Sequence, residues 1–391
     1  LTVAKDKGIL VGSESDVARD IAKALAQKHG MQDIVMKPKR AAKDLGVVCA
    51  GGLRRSSLMF QTRKAKAAQK IDRAGRFARM AGLANRAKTR RLWTQSVEPS
   101  IMYGATMAGL TSRQLKDLQA IAVKALGYKS SQQCSTATLA ITGGHFSLPA
   151  VRFRVEVIFQ WLEIMFSDGF DIKPAIRAWK LAIAKLAAST KPWSLVAGPM
   201  QAAIATLSEL GWQPLTPFSW IDDEGRAWNI SDTDRCTKRS ADSILRAIRH
   251  TALKLVWSQA AQHRCSAGLE GVPDLAPIRR LHKQFIRDKK YGHAGMLVKV
   301  GSGGLWPQAR WAEAKNKSLQ EGEASVATCC TLCGASYHNE WHTAYSCRAV
   351  LAHQAVIELG TPWVVQRALR ERALRGDAAC EDSYWLRGLT A

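Results

Sequence analysis

The residues of this chain best suited to chemistry form a short cysteine and histidine run, Cys330-Thr-Leu-Cys333-Gly-Ala-Ser-Tyr-His-Asn-Glu-Trp-His342-Thr-Ala-Tyr-Ser-Cys347, which spells C-x2-C-x8-H-x4-C. Two cysteines three apart make a knuckle, because the turn between them aims both sulfurs at one point, and Gly334 frees the backbone to finish that turn. A histidine and a cysteine five apart fall almost on one helical face and can close a tetrahedron. Three thiolates and one imidazole suit zinc, and four protein ligands leave no open coordination position. The expected role of Cys330, Cys333, His342 and Cys347 is therefore structural, holding together a segment too small to have a core of its own. The bland alternative is a helix with buried cysteines that merely look like ligands; four candidates at compatible spacing within 18 residues argue against it. Cys329 and His338 are substitutes for Cys330 and His342. Cys329 would lengthen the knuckle to x3, so Cys330 is preferred.

A second constellation is electrostatic. Between Arg54 and Arg91 stand 13 basic residues, Arg54, Arg55, Arg63, Lys64, Lys66, Lys70, Arg73, Arg76, Arg79, Arg86, Lys88, Arg90 and Arg91, opposed only by Asp72, a local net of +12. At 3.6 residues per turn, Arg63, Lys66, Lys70 and Arg73 fall within an arc of about 80°. A solvated helix face normally interleaves acids for pairing four residues apart. Here acids are nearly absent, which favours phosphate contact, independent of sequence and sensitive to salt. A weaker basic patch, Arg279, Arg280, Lys283, Arg287, Lys289 and Lys290, is countered only by Asp288.

One motif imitates catalysis. Trp220-Ile-Asp222-Asp223 has the form of the aromatic-x-Asp-Asp hairpin with which reverse transcriptases hold metal ions. It lies among proline-rich loops, no second Asp-bearing strand is evident beside it, and Asp222-Asp223-Glu224-Gly225 also reads as an ordinary polar turn. The turn reading is preferred and no catalytic residue is assigned. There is no Walker loop, G-x-G-x-x-G, G-x-S-x-G or H-E-x-x-H.

These groups sit on a chain of 391 residues with 57 Lys+Arg against 32 Asp+Glu, a formal charge of +25 and a pI near 10.0. A hydrophobic content of 47% supports sizeable cores, and the length suggests two or three domains. The charge favours a polyanionic partner, nucleic acid before an anionic membrane surface. No apolar run reaches the roughly 20 residues that span a bilayer, and no secretory signal is recognisable. Cys49, Cys134, Cys236, Cys265 and Cys380 are scattered singly, which with the one cluster indicates a reducing, intracellular compartment.

The elements expected to carry these groups are mainly helical. Residues 1–52 read as a small βαββ segment: a strand or hairpin over Val3–Val11, a helix over Ser15–His29, a strand at Ile34–Met36 and a β-rich run over Lys43–Val48. A helical segment spans 53–190, with helices over Ser57–Met80, from Asn85 past Trp93 with Pro99 bending or ending it, and over Ser112–Leu126. A loop-rich stretch punctuated by proline and glycine covers 191–234, with a small hairpin at Asp223-Glu224-Gly225. Helices resume at Ser240–His263 and Ile278–Lys290, and Gly301–Gly304 is read as a linker closing the segment 191–304. Residues 305–391 hold the cysteine cluster and a final helical stretch from Arg348 to Arg375.

The order of these features resembles the C-terminal half of non-LTR (LINE-type) retrotransposon reverse transcriptases. Lys43-Asp-Leu45-Gly46-Val47 is similar to the K-x-L-G-V signature that closes the palm in that family, and the basic helix follows where its thumb begins. Arg91-Leu-Trp-Thr-Gln-Ser-Val-Glu-Pro99-Ser-Ile-Met-Tyr103-Gly104 resembles the L-x5-P-x-hydrophobic-x-Y-G segment. The Cys330/Cys333/His342/Cys347 run resembles the family's C-terminal C-x2-C-G…H-x4-C element. The resemblance implies a mainly α fold with a small α/β palm remnant (1–52), a helical thumb (53–190), a connection region (191–304) and a zinc knuckle (305–391). It further implies RNA and RNA/DNA hybrid as partners, contacted by Lys43, Arg63, Lys66, Lys70, Arg73, Lys88, Arg90 and Arg91, a nuclear place of action, and Mg²⁺ only in a complete polymerase. Lys5 or Lys7 would fall near the family's motif-D lysine. In the family the catalytic aspartates precede the Leu-Gly motif; here the one Asp-Asp pair lies far downstream, so the chain is expected to bind template–primer without polymerising alone. The alternatives are a free-standing zinc-dependent nucleic-acid-binding protein and the product of a decayed element.

Overall fold

The structure, a computed structural model, describes residues 9–11, 15–28, 37–39, 41–44, 47–50, 55, 57–80, 91–128, 133–167, 169–230, 238–262, 268–305, 307–319, 325–352, 362–376 and 384. Over these residues the fold is mainly helical. The chain divides into two compact units, one made of 1–127 and 149–252, the other of 128–148 and 253–391. None of the described helices is long and apolar enough to cross a membrane.

The first unit opens with β1 (Ile9–Val11), α1 (Ser15–Lys28), β2 (Lys37–Lys39), β3 (Ala41–Asp44) and β4 (Val47–Ala50). This βαβββ order has one strand more than the βαββ expected, because the region read as a single β-rich run over Lys43–Val48 divides into the paired strands β3 and β4. β1 and β2 pair in parallel, and β3 and β4 pair antiparallel with Asp44 opposite Val47. The strand expected at 34–36 lies outside the described residues, as do Lys5, Lys7 and the Leu45-Gly46 pair.

Basic helix α2 (Leu58–Met80) buries Phe60, Ala67 and Ile71. Its neighbour α5 (Ser112–Ala125) starts at a complete capping box, in which Thr111 and Gln114 satisfy each other's backbone N–H groups. Leu115, Leu118 and Ala122 form the buried stripe of α5. Between them, Pro99 neither ends nor sharply breaks its helix. A proline lacks an N–H and its ring crowds the carbonyl four residues back. The backbone widens ahead of it into a π turn, Trp93–Val97, in which the Glu98 N–H reaches Trp93 O, and then resumes as α3 (Glu98–Met102). Tyr103 and Gly104, the latter at φ 67°, turn the chain into α4 (Ala105–Ala108).

The core of this unit is α7 (Pro149–Met165), whose Phe153, Val157, Ile158, Trp161 and Leu162 are buried. Helix α8 (Ile172–Ala187) adds Trp179, 5.2 Å from Trp161 between ring centroids. The loop-rich reading of 191–234 misses α9 (Pro199–Glu209), which packs on α7. Its signal was present, since Gly198-Pro199 starts a helix well: proline at the first position gives up an N–H that has no partner there. Arg154, buried in α7, binds Glu209 of α9 at 2.9 Å and the Ala150 carbonyl at 2.9 Å. β5 (Gln213–Pro214), β6 (Ser219–Ile221) and β7 (Ala227–Asn229) form an antiparallel sheet closed by the expected hairpin turn.

The chain enters the second unit along α10 (Lys238–Ala261). There, α6 (Ser135–Gly143), α11 (Ala276–Arg287) and α12 (Tyr291–Gly301) pack together. Gly301, read from sequence as part of a linker, is the last residue of α12: a Cβ there would stand 2.6 Å from Ile141 and 2.8 Å from Ile278. Close helix approach, rather than flexibility, calls for glycine. α13 (Gln308–Asn316), α14 (Arg348–Leu351) and α15 (Pro362–Arg375) complete the unit.

Glu98, directly after the π turn, is buried beside Arg152 at 2.6 Å. Burial pushes its carboxyl up to about 7, against the opposing pull of Arg152 and the Trp93 indole. A folded-state acid titrating this high stabilises the fold below its unfolded value and loses that contribution as pH rises through about 7. Between pH 5 and pH 8 the protein should therefore lose on the order of 3 kcal/mol relative to Glu98→Gln, at about 1.4 kcal/mol per tenfold in proton affinity. Parallel denaturation of both proteins at the two pH values measures this; equal losses would refute it.

Candidate metal centre

Cys330, Cys333, His342 and Cys347 bring one ligand atom each to a common point, all within 4.8 Å of one another. Cys330 Sγ lies 3.9 Å from Cys347 Sγ, and Cys333 Sγ lies 3.2 Å from His342 Nε2. Cys330 and Cys347 are buried, while Cys333 and His342 are partly exposed. The group can hold a metal ion.

Each ligand is placed by local backbone chemistry. In the knuckle the Gly334 N–H donates to Cys330 O and the Cys330 N–H to Ala335 O, both at 2.8 Å. This turn requires φ 74° at Gly334, the left-handed region that glycine enters without strain. His342 opens a single π turn, His342–Ser346, and Cys347 closes it, its N–H reaching His342 O at 2.7 Å. An α-helix would set residues five apart about 140° from each other, so the expected shared face of His342 and Cys347 does not come from an ordinary helix; the wider π turn brings them together. The Asn339 side chain accepts the His342 N–H at 2.8 Å, fixing the entry to that turn.

The two substitutes fall away on geometry. Cys329 is outside the four-atom group. His338 has both ring nitrogens engaged, Nδ1 by the Gln308 N–H at 3.3 Å and Nε2 by the Thr343 hydroxyl at 2.8 Å. It supports the site from behind, its ring standing edge-on to His342.

The electrostatics call for a cation. At Cys330, burial pushes the thiol up, but N–H groups of Cys333 and Leu332 and the His342 side chain outweigh it and hold it at about 6. At Cys333 the Ala335 N–H pulls down, yet burial and the sulfurs of Cys330 and Cys347 together raise it. Thiolates packed this closely oppose one another's ionisation, and a bound cation removes the conflict.

The platform beneath the cluster was not legible as such from sequence. α13 ties to it through the Ala309 N–H to His338 O at 2.9 Å and through Asn316, whose amide both donates to and accepts from Val326. Arg310 holds the Gly303 and Leu305 carbonyls and faces Glu340 at 3.7 Å. Trp341, buried next to ligand His342, packs on Tyr345 at 4.8 Å, with Arg372 of α15 over its ring at 6.0 Å.

The residues assigned to nucleic acid are placed as follows. Lys66, Lys70 and Arg73 are exposed along α2, and Arg76 continues their stripe. Arg63 is half-buried, donating to Tyr103 O with its guanidinium 5.7 Å from the Tyr103 ring. Lys64 and Asp72 are drawn into ion pairs with Asp117 and Lys124 of α5, at 2.6 and 2.7 Å. Arg55 serves the fold, donating to the Ala108 and Gly109 carbonyls at the end of α4 and to Gln114. Arg91 is exposed. Lys43 lies in β3, its side chain outside the description, and Lys88 and Arg90 are outside the described residues.

Asp222 is spent on its turn. Its carboxylate accepts from the Glu224 and Arg226 N–H groups, the Arg226 guanidinium and the Trp228 indole, at 2.8 to 3.0 Å. Burial would push it up, but these donors hold it at about 2. Asp223 accepts the Thr251 hydroxyl at 2.7 Å. This is a hydrogen-bonded hairpin turn.

No protein-family model, curated protein or solved structure matches this chain. Exchanging Cys333 for Ser is expected to abolish one equivalent of bound metal, measured by elemental analysis of the purified protein, whereas Cys329→Ser retains it. A full equivalent in Cys333→Ser would remove the assignment.

Proposed function

We propose that this chain is the template–primer-binding part of a non-LTR retrotransposon reverse transcriptase, gripping RNA/DNA hybrid with its basic thumb helix and carrying a structural zinc knuckle. The observation that carries the reading is the division of cations on α2. Arg63 and Lys64 are engaged by Tyr103 and Asp117, whereas Lys66, Lys70, Arg73 and Arg76 share an exposed stripe opposite buried Phe60, Ala67 and Ile71. Such a stripe neutralises phosphates, which fixes position on a duplex without reading sequence. The K-x-L-G-V and Y-G resemblances, on either side of this helix, supply the hybrid as the particular duplex and the nucleus as its place.

Zinc is the metal we assign to the cluster. With zinc–sulfur bonds of roughly 2.3 Å, tetrahedral ligands stand roughly 3.8 Å apart, close to the 3.9 Å between the Cys330 and Cys347 sulfurs. Four protein ligands close the coordination shell, so the ion would hold the fold and carry no reaction. Nucleotide addition is assigned to no residue of this sequence, since its Asp222-Asp223 pair serves the hairpin turn.

Changing Lys66, Lys70 and Arg73 together to Glu should weaken hybrid binding roughly tenfold or more near 0.1 M salt and lower the salt slope by about 2 to 3. Fluorescence anisotropy across a salt series reads both. Unchanged affinity and slope would take the contact surface off α2; equal affinity for DNA duplex would leave general nucleic-acid binding and remove the hybrid.

A further inference from the structure

Helix α11 carries a second cationic face, in the unit that also holds the metal centre. At 3.6 residues per turn, Arg280, Lys283 and Arg287 fall within an arc of about 60°, and all three are exposed. They span roughly 10 Å along the axis at 1.5 Å per residue, the rise of about three nucleotides of one strand. Arg279, grouped with them from sequence, points elsewhere: its guanidinium lies against Gly144, where a Cβ would meet it at 2.9 Å. The opposite side of α11, with Ile278 and His282, is buried where α11 packs with α6 and α12. An amphipathic helix that lies in a membrane surface needs its apolar side for the bilayer. Here the middle of that side, Ile278 and His282, is packed, and only Leu281 and Ile286 at its edges are exposed beside the larger cationic face. A phosphate backbone is therefore favoured, with vesicle binding kept as an outcome of the test.

The end of α11 adds an independent observation. The Lys290 N–H reaches Phe285 O at 2.8 Å and the Lys289 N–H reaches Ile286 O at 3.2 Å, the paired bonds of a Schellman motif. Its left-handed position, which favours glycine, is filled by Lys289 at φ 57°, the one non-glycine residue with positive φ among the described residues. Backbone ease asks for glycine there; a lysine instead extends the basic face past the helix end, and Lys290 follows it into α12. Asp288, within this turn, faces Arg287 at 3.5 Å and offsets only part of the charge.

The geometry points to the α11 face, Arg280, Lys283 and Arg287 with Lys289 and Lys290 at its end, as a second nucleic-acid backbone site. This rests on the nucleic-acid reading above.

Three variants decide it, using a labelled RNA/DNA hybrid of about 20 base pairs and, separately, phosphatidylserine vesicles. Arg280→Glu/Lys283→Glu/Arg287→Glu should lose roughly tenfold in hybrid affinity and flatten the salt slope by about 2 to 3, with circular dichroism and bound metal unchanged. Lys289→Gly should weaken binding a few-fold while leaving Tm equal or higher, a combination that a purely structural lysine would not give. The α2 triple variant separates the two ideas. Loss in α2 alone overturns the α11 site and leaves the first reading standing; loss in α11 alone keeps the α11 site and removes α2. Vesicle binding that exceeds hybrid binding and is abolished by the α11 changes would overturn the nucleic-acid assignment. Should the α11 triple variant fail to fold, Lys289→Gly decides: wild-type affinity with a raised Tm overturns the proposal.

Discussion

Surplus positive charge is the constraint on which this structure turns. A chain with 57 lysines and arginines and 32 acids cannot pair its cations internally, and like charges left close together oppose the compact state. The fold spends its acids selectively. Glu209 goes to buried Arg154, Glu98 to Arg152, and Asp117 to Lys64, each at a junction between helices. Arg55 is settled another way, on the carbonyls that end α4 and need donors of their own. Much of what is left over is spread over the surface, with Arg113 and Lys116 exposed on α5, Lys173, Arg177, Lys180 and Lys185 on α8, and Arg367 and Arg370 on α15. Part of it lies in stripes on α2 and α11, where the repulsion is directed toward solvent and a polyanion would relieve it.

The candidate metal centre is the same problem with the sign reversed. Three cysteine sulfurs and an imidazole converge in a space only a few ångströms across, and N–H groups of the knuckle already favour thiolate at Cys330. Negative charge is concentrated where a cation would be enclosed, and the surrounding contacts ensure that the donors cannot drift apart. Asn339 fixes where the His342 turn begins, His338 links that turn to α13, and Arg372 brings α15 over Trp341. Without its ion the cluster would leave crowded thiols in a region with little apolar core of its own, which is why metal and fold should be gained together.

What could be read from the sequence was whatever depends on neighbours in the chain. The amphipathic stripes of α2 and α5, the helix beginning at Ser15 and the four-ligand spacing all follow from local periodicity or local turns. Choosing Cys330 over Cys329 needed only the length of a knuckle. The misses depend on distant partners. Gly301 looked like linker because its reason, Ile141 and Ile278, comes from two other helices. Arg279 looked like part of a basic patch because nothing near it in sequence announces Gly144. Arg55 and Arg63 counted as free charge until the ends of α3 and α4 arrived to claim them. Helix α9 was hidden by prolines read only as breakers, although one of them sits where a helix accepts it.

Lys289 shows how local and functional demands can be told apart. Every other positive φ among the described residues belongs to glycine, the residue that the backbone prefers there. At Gly334 the same preference is obeyed, because the knuckle needs only its turn. At the end of α11 the turn is equally well made, both Schellman bonds being present, yet a side chain is retained against the backbone's preference. A residue kept where a smaller one would fold more easily owes its place to what its side chain meets. For a lysine between Arg287 and Lys290, the partner we propose is an anion supplied from outside.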